Sequence, residues 1–561
     1  MENIFTPRRK ISKTALSILQ KRYFMTGETR WRHVTSRIID NVIPHFDEET
    51  KTLITEMIAN RYFVPNSPCL VNAGKENGGL SACFVVDFPD TIEGIYKTKL
   101  DFALIAKKGG GCGTSLSKIR PENDAVAGST HGFAGGPIRF ANTISHDMNA
   151  MTQAGFRSMA IMFTMSVYHP DIIRFITTKS EEGKLANANI SVVVDDKFMK
   201  AVENDEEFWT EFNGKKYHKY KATDVFNLIT EGAWKNGEPG ILFMDRIKDS
   251  PYKYTNQEIF STNPCSEQPL PINGICTLGA LDLSKFVSGQ DMDYEKLKTA
   301  TQLSVKFLDA TISKSSFPTK DIEKWAKENR SIGLGIMGFA DYCLMKKLAY
   351  GSEESIDELE NILNIIQKIA LEESENLGAL LGVPKQCQLL DKPRRNITVT
   401  TIAPTGTTSL IAGCSSGIEP IFSEITIRND KTGTYTFHND LSSEPYFRCA
   451  VSSNGANEVS WEEHINILAS AQKYIDSGVS KTINFPTMTR KETIAKAFVM
   501  AWELGCKGLA VYRNGSRKVE VLSPKNLKKD KCPTCGRELE SLNGNKECTQ
   551  CQLQIEIKDE F

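Results

Sequence analysis

Helical segments alternate with short apolar segments from residue 66 to about residue 515 of this chain. The apolar segments are rich in β-branched residues and are bounded by turn or helix signals, as at residues 190–194 and 397–402. This alternation is typical of α/β proteins, in which helices connect parallel strands. One long helix is predicted to begin with a capping box at residues 355–358 and to end at Gly382. The sequence therefore predicts an α/β body.

Composition divides the chain into four parts. Residues 1–65 carry helical patterns and end at a proline cluster. The α/β body follows over residues 66–515. Residues 516–531 are rich in lysine and poor in apolar side chains, which is typical of a flexible linker. A cysteine-rich tail occupies residues 532–561.

The overall charge and hydropathy exclude several classes of protein. The formal net charge is -1, whereas tight binding to nucleic acid without sequence preference needs a strong basic excess. No apolar run is long enough to cross a bilayer, and the charged N-terminus is too polar for a secretory signal. We therefore expect a cytoplasmic protein that binds neither membrane nor nucleic acid directly. The fourteen cysteines then indicate metal binding, redox catalysis or buried thiols.

Residues 261–267, Ser-Thr-Asn-Pro-Cys-Ser-Glu, carry a candidate catalytic pattern. Asn263, Cys265 and Glu267 occupy alternate positions, so in an extended segment their side chains point the same way. A thiol can act as nucleophile or radical carrier, a carboxylate can exchange a proton, and an amide can orient a hydroxyl group. The alternative is a loop with a buried cysteine and an exposed glutamate.

Two small-residue segments are candidates for phosphate binding. Residues 397–402 predict a strand that leads into Pro-Thr-Gly-Thr-Thr-Ser at 404–409 and then into a helix. Backbone N–H groups and hydroxyls in such a turn bind anions. The turn lacks the Gly-Lys-Ser/Thr of a Walker A loop, so a simple capping turn is the alternative. The Gly-rich stretch 109–113 lacks the dinucleotide spacing, and we interpret it as a place of close backbone packing.

The Asn-Pro-Cys-Ser-Glu segment at 263–267 resembles the finger-loop motif of ribonucleotide reductases. Further segments follow in the order of that family: Asn-Ser-Pro-Cys-Leu-Val-Asn-Ala-Gly at 66–74, Leu-Ser-Ala-Cys-Phe at 80–84, Cys-Thr-Leu-Gly at 276–279, Ala-Pro-Thr-Gly-Thr-Thr-Ser-Leu at 403–410 and Gly-Cys-Ser-Ser-Gly-Ile-Glu-Pro at 413–420. The resemblance runs from about residue 60 to residue 517. It implies a ten-stranded α/β barrel with a central finger loop, preceded by the N-terminal helical region.

The resemblance also implies catalytic roles. Cys265 would become a thiyl radical that abstracts the 3′ hydrogen of a ribonucleotide, Glu267 would act as base on the 3′ hydroxyl, and Asn263 would bond to the ribose hydroxyls. Cys83 and Cys276 would supply two electrons and form a disulfide as the 2′ hydroxyl leaves as water. The alternative for each cysteine is a buried structural thiol. The residues implied in substrate binding are Ser67, Ala82, Cys83, Asn263, Pro404, Thr405, Gly406, Thr407 and Thr408.

The radical source is implied by the segment at 505–517, which holds a single tyrosine, Tyr512, with Val511 beside it. Reductases served by a metal-containing subunit relay the radical through adjacent tyrosines, and the anaerobic class needs a glycyl-radical segment that is absent here. The segment resembles the adenosylcobalamin-dependent class. The main alternative is the same reaction with a radical from a separate metal-containing subunit. A second is a zinc-ribbon regulatory or nucleic-acid-binding protein with an inactive barrel, and a third is a glycyl-radical lyase of related fold.

The tail contains two Cys-x-x-Cys pairs. Four thiolates suit tetrahedral zinc, so the spacing predicts a zinc-ribbon-like tail. Such pairs also exchange thiols with disulfides, and reductases of this class use C-terminal cysteines to reduce the active site again. Both interpretations are open. The candidate ligands are Cys532, Cys535, Cys548 and Cys551.

The resemblance implies further partners. The dimeric relatives reduce diphosphates, so we expect a homodimer that acts on ribonucleoside diphosphates and is reduced by a thioredoxin-like or glutaredoxin-like protein. Effector binding is expected between protomers around residues 136–165, where Asp147 and Arg157 are the candidates. The alternative for these two residues is a surface ion pair. The short segment before residue 66 leaves little room for the regulatory cone of many relatives, so no overall inhibition by dATP is expected.

Overall fold

The structure, a computed structural model, describes residues 4–7, 10–126, 131–153, 157–180, 184–185, 187–430, 433–452, 455, 457–516 and 522–524, with the strands of the tail at 540–542, 545–548 and 553–556. At residues 152–153, 157–158, 429–430 and 433 and in the tail strands, only the backbone is described.

Seventeen α-helices lie in the described residues. They are α1 (Lys13–Arg22), α2 (Trp31–Val42), α3 (Glu48–Ala59), α4 (Ser67–Asn72), α5 (Ile92–Lys107), α6 (Gly136–Asn149), α7 (Ile172–Thr177), α8 (Asp196–Glu203), α9 (Ala222–Asn236), α10 (Met244–Lys248), α11 (Tyr294–Lys314), α12 (Lys320–Asn329), α13 (Phe339–Lys346), α14 (Glu353–Leu381), α15 (Thr408–Ala412), α16 (Trp461–Gln472) and α17 (Lys491–Glu503).

The strands are β1 (Phe63–Pro65), β2 (Cys83–Val85), β3 (Gly111–Ser115), β4 (Thr152–Gln153), β5 (Arg157–Ser158), β6 (Ile161–Ser166), β7 (Ala188–Val194), β8 (Glu207–Phe212), β9 (Lys215–Lys221), β10 (Gly240–Phe243), β11 (Ile259–Thr262), β12 (Pro269–Pro271), β13 (Ile275–Asp282), β14 (Val287–Ser288), β15 (Asp291–Met292), β16 (Ile332–Met337), β17 (Ile425–Asp430), β18 (Gly433–His438), β19 (Thr482–Phe485), β20 (Gly508–Arg513), β21 (Leu522–Pro524), β22 (Glu540–Leu542), β23 (Asn545–Cys548) and β24 (Leu553–Glu556).

A ten-stranded sheet forms the centre of the α/β body. Its order is β1-β13-β2-β3-β6-β7-β10-β20-β19, and β16 pairs with the other edge of β13. The pairs within β2-β3-β6-β7-β10, together with β13–β16 and β19–β20, are parallel, as predicted. The sheet also has antiparallel junctions at β1–β13, β2–β13 and β10–β20. The sheet is therefore mixed: it contains the parallel strands that the sequence predicted and three antiparallel junctions besides.

The predicted ten-stranded barrel is not confirmed, although the central sheet does contain ten strands. Residues 397–402, which predict a strand, form only isolated bridges, from Leu334 to Thr400 and from Ile402 to Val479. The ladder is therefore interrupted between β16 and β19, and the sheet is not closed by continuous pairing. The strand predicted at 190–194 is confirmed as the greater part of β7.

The long helix α14 begins earlier than its sequence predicts. Its N-cap is Ser352, whose hydroxyl accepts a hydrogen bond from Ser355 N at 3.3 Å. Ser355 lies in the first turn, where its own hydroxyl accepts from Gly351 N and donates to Ser352 O. The predicted start is therefore wrong by one turn, whereas the end at Gly382 is confirmed.

The hairpin β11–β12 lies against the sheet and carries the residues of the candidate catalytic loop. Strand β11 packs against β2, β3 and β6, and the hydroxyls of Ser261 and Thr164 are 3.0 Å apart. A side chain at Gly113 would have its Cβ only 1.8 Å from Thr262 O, and one at Gly111 would lie 3.1 Å from the Pro264 ring. The Gly-rich stretch 109–113 is therefore a place of close backbone packing, as predicted.

The terminal regions join this body in part. Helices α1, α2 and α3 confirm the helical character of the N-terminal region, but its last three residues form β1 and enter the sheet. Within the predicted linker, β21 pairs with β17. The backbone of the tail forms the antiparallel sheet β22–β23–β24. None of the described helices has both the length and the apolar character that a bilayer crossing requires.

We expect Gly113→Ala to lower the free energy of unfolding by about 1–3 kcal/mol, because the new methyl group overlaps the Thr262 carbonyl. Urea unfolding measures the change. Gly135→Ala is the matched control, since its Cβ would approach only the flexible Arg139 side chain, at 3.4 Å. Equal stability of the two variants would show that the sheet and the hairpin are not in close contact.

Candidate functional site

The loop between β11 and β12 is closed by its own backbone. Asn263 N donates to Gln268 O at 3.2 Å, and Gln268 N donates to Asn263 Oδ1 at 2.9 Å. Ser266, whose φ is 65°, donates its N–H to Asn263 O at 3.0 Å. We call residues 262–268 the finger loop. Its tight closure fixes the directions in which Asn263, Cys265 and Glu267 leave the backbone.

Two cysteines from distant parts of the sequence meet behind this loop. Cys83 on β2 is directly opposite Cys276 on β13 in the antiparallel register, and both are buried. Residues opposite each other in an antiparallel pair have Cα atoms about 4.5–5.5 Å apart, which lies within the range for a disulfide. Burial and the neighbouring Glu267 carboxyl raise the thiol pKa of Cys83 well above its ordinary value. Burial likewise raises the pKa of Cys276. Both thiols are therefore protonated at neutral pH.

The finger loop is linked to the thiol pair by a short polar chain. Asn263 Nδ2 donates to Cys83 Sγ at 3.1 Å, and Cys83 Sγ is 3.7 Å from Glu267 Oε1. The structure therefore brings together Asn263, Glu267 and Cys83, three of the five residues predicted to be catalytic, and Cys276 is the neighbour of Cys83. A proton can move along this chain between a carboxyl group and a thiol.

Glu267 is buried, and burial raises its pKa, although hydrogen bonds from Asn263 and Cys83 oppose the rise. Its second oxygen, Oε2, and both side-chain atoms of the buried Gln268 have no hydrogen-bond partner among the described residues. Each such buried polar atom costs about 1–3 kcal/mol. These atoms fit a site that is completed by a polar ligand such as a sugar hydroxyl.

Cys265 differs from the other two thiols because it is exposed to solvent. It lies at the tip of the finger loop and lines a cavity of about 850 Å³ together with Pro264, Ser266 and Pro404. Ligand-binding cavities are typically about 300–1,000 Å³, so this one is large enough for a nucleotide and part of a cofactor. Val511 and Tyr512 also line this cavity.

The candidate phosphate loop borders the same cavity through Pro404 and Ser409. Thr405, at φ 51°, accepts a hydrogen bond from Gly417 N on its hydroxyl at 2.8 Å. Arg428 on β17 donates to Gly406 O at 3.0 Å. The helix that follows, α15, has only five residues, so a helix dipole contributes little here and the loop amides and hydroxyls are the groups suited to a phosphate. Among the residues predicted to bind phosphate, Pro404 lines the cavity, whereas Thr405, Gly406, Thr407 and Thr408 do not.

The remaining predicted binding residues have other contacts in the structure. Ser67 shares a hydrogen bond of 2.9 Å with the Tyr23 hydroxyl. Ala82 bonds through its backbone to Cys276 O and Gly111 N, which fixes the position of the adjacent Cys83.

The structure describes the effector and metal candidates only in part. Asp147 on α6 forms an ion pair of 3.0 Å with Lys99 on α5. Arg157 lies in β5, where the backbone alone is described. The predicted zinc ligands Cys532, Cys535 and Cys551 lie outside the described residues, and Cys548 ends β23.

Three residues that sequence analysis missed hold the finger loop from outside. Asn189 Nδ2 donates to Pro264 O at 2.7 Å, Thr401 Oγ1 donates to Glu267 O at 2.8 Å, and Gly478 N donates to the same oxygen at 2.8 Å. A side chain at Gly478 would collide with Ser266 O, at 2.7 Å. These contacts join segments that are far apart in the sequence. The residue types within any one segment therefore give only a weak indication that it supports the finger loop.

Comparison with protein families identifies this arrangement. The family model of the ribonucleotide reductase barrel domain matches residues 81–387 and 386–512. The chain belongs to the ribonucleotide reductase family.

Several relatives cover most of this chain. The vitamin B12-dependent ribonucleoside-diphosphate reductase of Thermoplasma acidophilum is 38% identical over 505 residues, which cover 83% of this chain and 66% of the relative. The protein of the same name from Mycobacterium tuberculosis H37Rv is 31% identical, with 92% of this chain and 79% of the relative covered. The ribonucleoside-diphosphate reductase subunit alpha of Synechocystis is 26% identical, with 82% of this chain covered.

Under native conditions, we expect iodoacetamide to modify Cys265 at least about tenfold faster than any other cysteine between Cys69 and Cys506, because only an accessible thiol reacts readily. Burial raises the pKa of Cys69 to about 12 from 9.0, which lowers its thiolate fraction about a thousandfold. Mass spectrometry of the tryptic peptides measures each rate, and denatured protein is the control. Equally fast native labelling of Cys83 or Cys276 would contradict the arrangement.

Proposed function

We propose that this chain reduces ribonucleoside diphosphates to 2′-deoxyribonucleotides with adenosylcobalamin as radical source. The main support is the juxtaposition of Asn263, Glu267 and the Cys83–Cys276 pair behind a loop whose tip, Cys265, opens into a cavity. Two B12-dependent relatives at 38% and 31% identity favour the same reaction. When bound, adenosylcobalamin would supply the radical through homolysis of its carbon–cobalt bond.

The residues divide the reaction between them. Cys265, as a thiyl radical, takes the 3′ hydrogen atom of the ribose, while Glu267 accepts the proton of the 3′ hydroxyl and Asn263 orients the hydroxyls. Cys83 protonates the 2′ hydroxyl, which leaves as water. The second thiol proton and the two electrons of the pair pass to C2′ and become its new C–H bond, so Cys83 and Cys276 form a disulfide. Cys265 then returns the hydrogen atom to C3′, and Glu267 returns the proton to the 3′ oxygen. Raised pKa values suit the two thiols to this task, because they must carry protons when substrate arrives.

Substrate binding is proposed at the finger loop and the adjacent phosphate loop, of which Cys265 and Pro404 line the cavity. The backbone amides and hydroxyls of residues 405–408, next to Pro404, would bind the diphosphate. Ser67, Ala82, Cys83 and Asn263 would complete the pocket around the sugar. Val511 and Tyr512 lie on the cavity wall and would contact the adenosyl group.

A radical supplied by a separate metal-containing subunit is the second candidate, because the Synechocystis relative is a subunit alpha. The B12-dependent relatives are more similar to this chain. Val511 and Tyr512 are consecutive residues of β20, where they pair with Ile483 and Asn484 of β19. The strand therefore has one tyrosine where a radical relay needs two adjacent tyrosines, which favours the cobalamin source.

The assay is reduction of cytidine diphosphate by the purified chain with adenosylcobalamin and dithiothreitol. We expect Cys265→Ala and Cys265→Ser to lower kcat at least about a thousandfold, because no other group replaces the radical carrier. Cys343→Ala, which removes a buried thiol on α13, is the control and retains activity. Near wild-type turnover by either Cys265 variant would refute the mechanism, and activity only after addition of a second protein would favour the metal-subunit source.

The tail and its partners complete the proposal. A thioredoxin-like or glutaredoxin-like protein would reduce the Cys83–Cys276 disulfide. The tail cysteines Cys532, Cys535, Cys548 and Cys551 would either hold zinc or relay electrons. The predicted linker before the tail contains β21, whose Leu522 lines the cavity. The cytoplasmic location stays a prediction, as does effector binding by Asp147 and Arg157.

An apolar stripe on α5 supports the expected homodimer. Ile92, Tyr96 and Leu100 follow one another at helical spacing and are 61%, 61% and 58% exposed. Exposed large apolar side chains in a row mark interaction surfaces. The stripe lies on the same helix as Lys99, which pairs with Asp147 of α6. We therefore place the dimer contact on α5, next to the proposed effector site.

We expect Leu100→Glu to convert a dimer of twice 62.5 kDa into a monomer of 62.5 kDa, because burying a carboxylate at an apolar contact is unfavourable. Light scattering after size exclusion measures the mass. Leu380→Glu is the matched control, since Leu380 is also exposed but lies on α14. A dimer that persists in Leu100→Glu, or that is lost in both variants, would exclude α5 as the contact.

A further inference from the structure

Lys507 is a buried lysine immediately before β20. The hydrogen bonds described for its side chain go only to backbone carbonyls. Its Nζ donates to Asp476 O and to Ser477 O, both at 2.7 Å. Both acceptors belong to the turn that precedes β19. One ammonium group therefore fixes the orientation of two successive peptide units.

The same turn holds the finger loop. The peptide after Ser477 carries Gly478 N, which donates to Glu267 O at 2.8 Å, and Thr401 Oγ1 bonds to both Glu267 O and Gly478 O. Gly478 lies flat on the loop, since a Cβ there would be 2.7 Å from Ser266 O and 3.1 Å from Glu267 Cα. A shift of the turn would therefore displace Glu267 and, two residues away, Cys265.

Lys507 also lines the cavity that Cys265 opens into. It lies next to the antiparallel junction β10–β20, where Leu242 is opposite Gly508 and Phe243 N donates to Lys507 O at 2.9 Å. Both ends of the lysine are thus anchored, the backbone to the sheet and the ammonium to the turn. The residue spans the distance between the rigid sheet and the support of the finger loop.

We propose that Lys507 is a positioning residue of the reductase reaction, which holds Cys265 and Glu267 in place through the turn at residues 476–478. The proposal rests on the proposed function, because it assigns the residue a role in that reaction. Lys507 itself touches neither substrate nor thiol in this assignment. It acts on kcat, because a displacement of about 1 Å at reacting groups lowers a rate about a hundredfold.

Protonation of Lys507 makes the proposed positioning role depend on pH. Burial lowers the pKa of Lys507 to about 8, although the carboxylates of Asp476 and Asp249 oppose the fall. Asp476 reaches it from the turn and Asp249 from the end of α10, while the Asp476 carboxylate is itself bonded to Gln367 Nε2 and Val399 N. The charged form makes the stronger hydrogen bonds, so the turn is held firmly below about pH 8 and less firmly above it.

The experiment compares wild-type protein, Lys507→Arg and Lys507→Met in single turnovers of pre-reduced holoenzyme from pH 6.5 to 9.5, which removes the reductant from the measured step. We expect the wild-type single-turnover rate constant to fall as pH rises through about 8. Lys507→Arg keeps its charge to above about pH 12, so the ratio of its rate constant to that of the wild type rises across that range. Lys507→Met lowers the rate constant at saturating substrate about 10- to 100-fold and changes the half-saturating substrate concentration little.

Hydrogen exchange supplies a readout independent of activity. We expect peptides that cover 476–480 and 262–268 to exchange at least about tenfold faster in Lys507→Met, because the Gly478 N–H loses its protection. Lys108→Met is the matched control: Lys108 is also partly buried, and its Nζ donates to a backbone carbonyl, Asn77 O at 2.9 Å, and to Ser316 Oγ at 2.8 Å, neither of which contacts the finger loop or its anchors.

The outcomes separate the two proposals. An inactive wild-type protein whose finger-loop exchange still depends on Lys507 would refute the function and leave the positioning contact standing. An active wild-type protein with unchanged kcat and exchange in Lys507→Met would refute the positioning role alone. If Lys507→Met does not fold, the pH ratio of Lys507→Arg decides, and a ratio that stays constant between pH 7 and 9 overturns the proposal.

Discussion

The antiparallel pairing of β2 with β13 is the constraint on which the candidate site depends. A purely parallel sheet would connect the two strands through helices and would not require Cys83 to lie opposite Cys276. The reversal at this junction brings them into register, both buried, at a separation suited to a disulfide. Burial then keeps both thiols protonated, so they do not behave as two reactive thiolates.

The finger loop is held in place without using the side-chain atoms of Cys265 or Glu267 Oε2 as anchors. Its anchors are backbone atoms: Pro264 O accepts from Asn189, and Glu267 O accepts from Thr401 and Gly478. The side chain of Cys265 is thereby left exposed to the cavity, and Glu267 Oε2 is left without a hydrogen bond among the residues described. Such unpaired polar atoms reduce stability, and a protein retains them where a ligand completes them.

Sequence reasoning succeeded for signals that are local. The strand over most of β7, the end of α14 at Gly382 and the close packing of the 109–113 glycines follow from residue types within a few positions. It was wrong where two local signals compete, as at the start of α14, where Ser352 and Ser355 are both able to cap. Residues 397–402 have the composition of a strand, but they make only isolated bridges, because pairing depends on what lies alongside.

By itself, the sequence determined the α/β class, the residues of the finger loop and the family to which they belong, because these depend on short segments whose order is read directly. Only the tertiary structure decided that the sheet is mixed, that Cys265 is exposed while Cys83 and Cys276 are buried, and that Asn189, Thr401, Gly478 and Lys507 support the loop. The physical reason is that burial, strand direction and hydrogen-bond partners are set by contacts between residues far apart in the chain, and no single segment contains them.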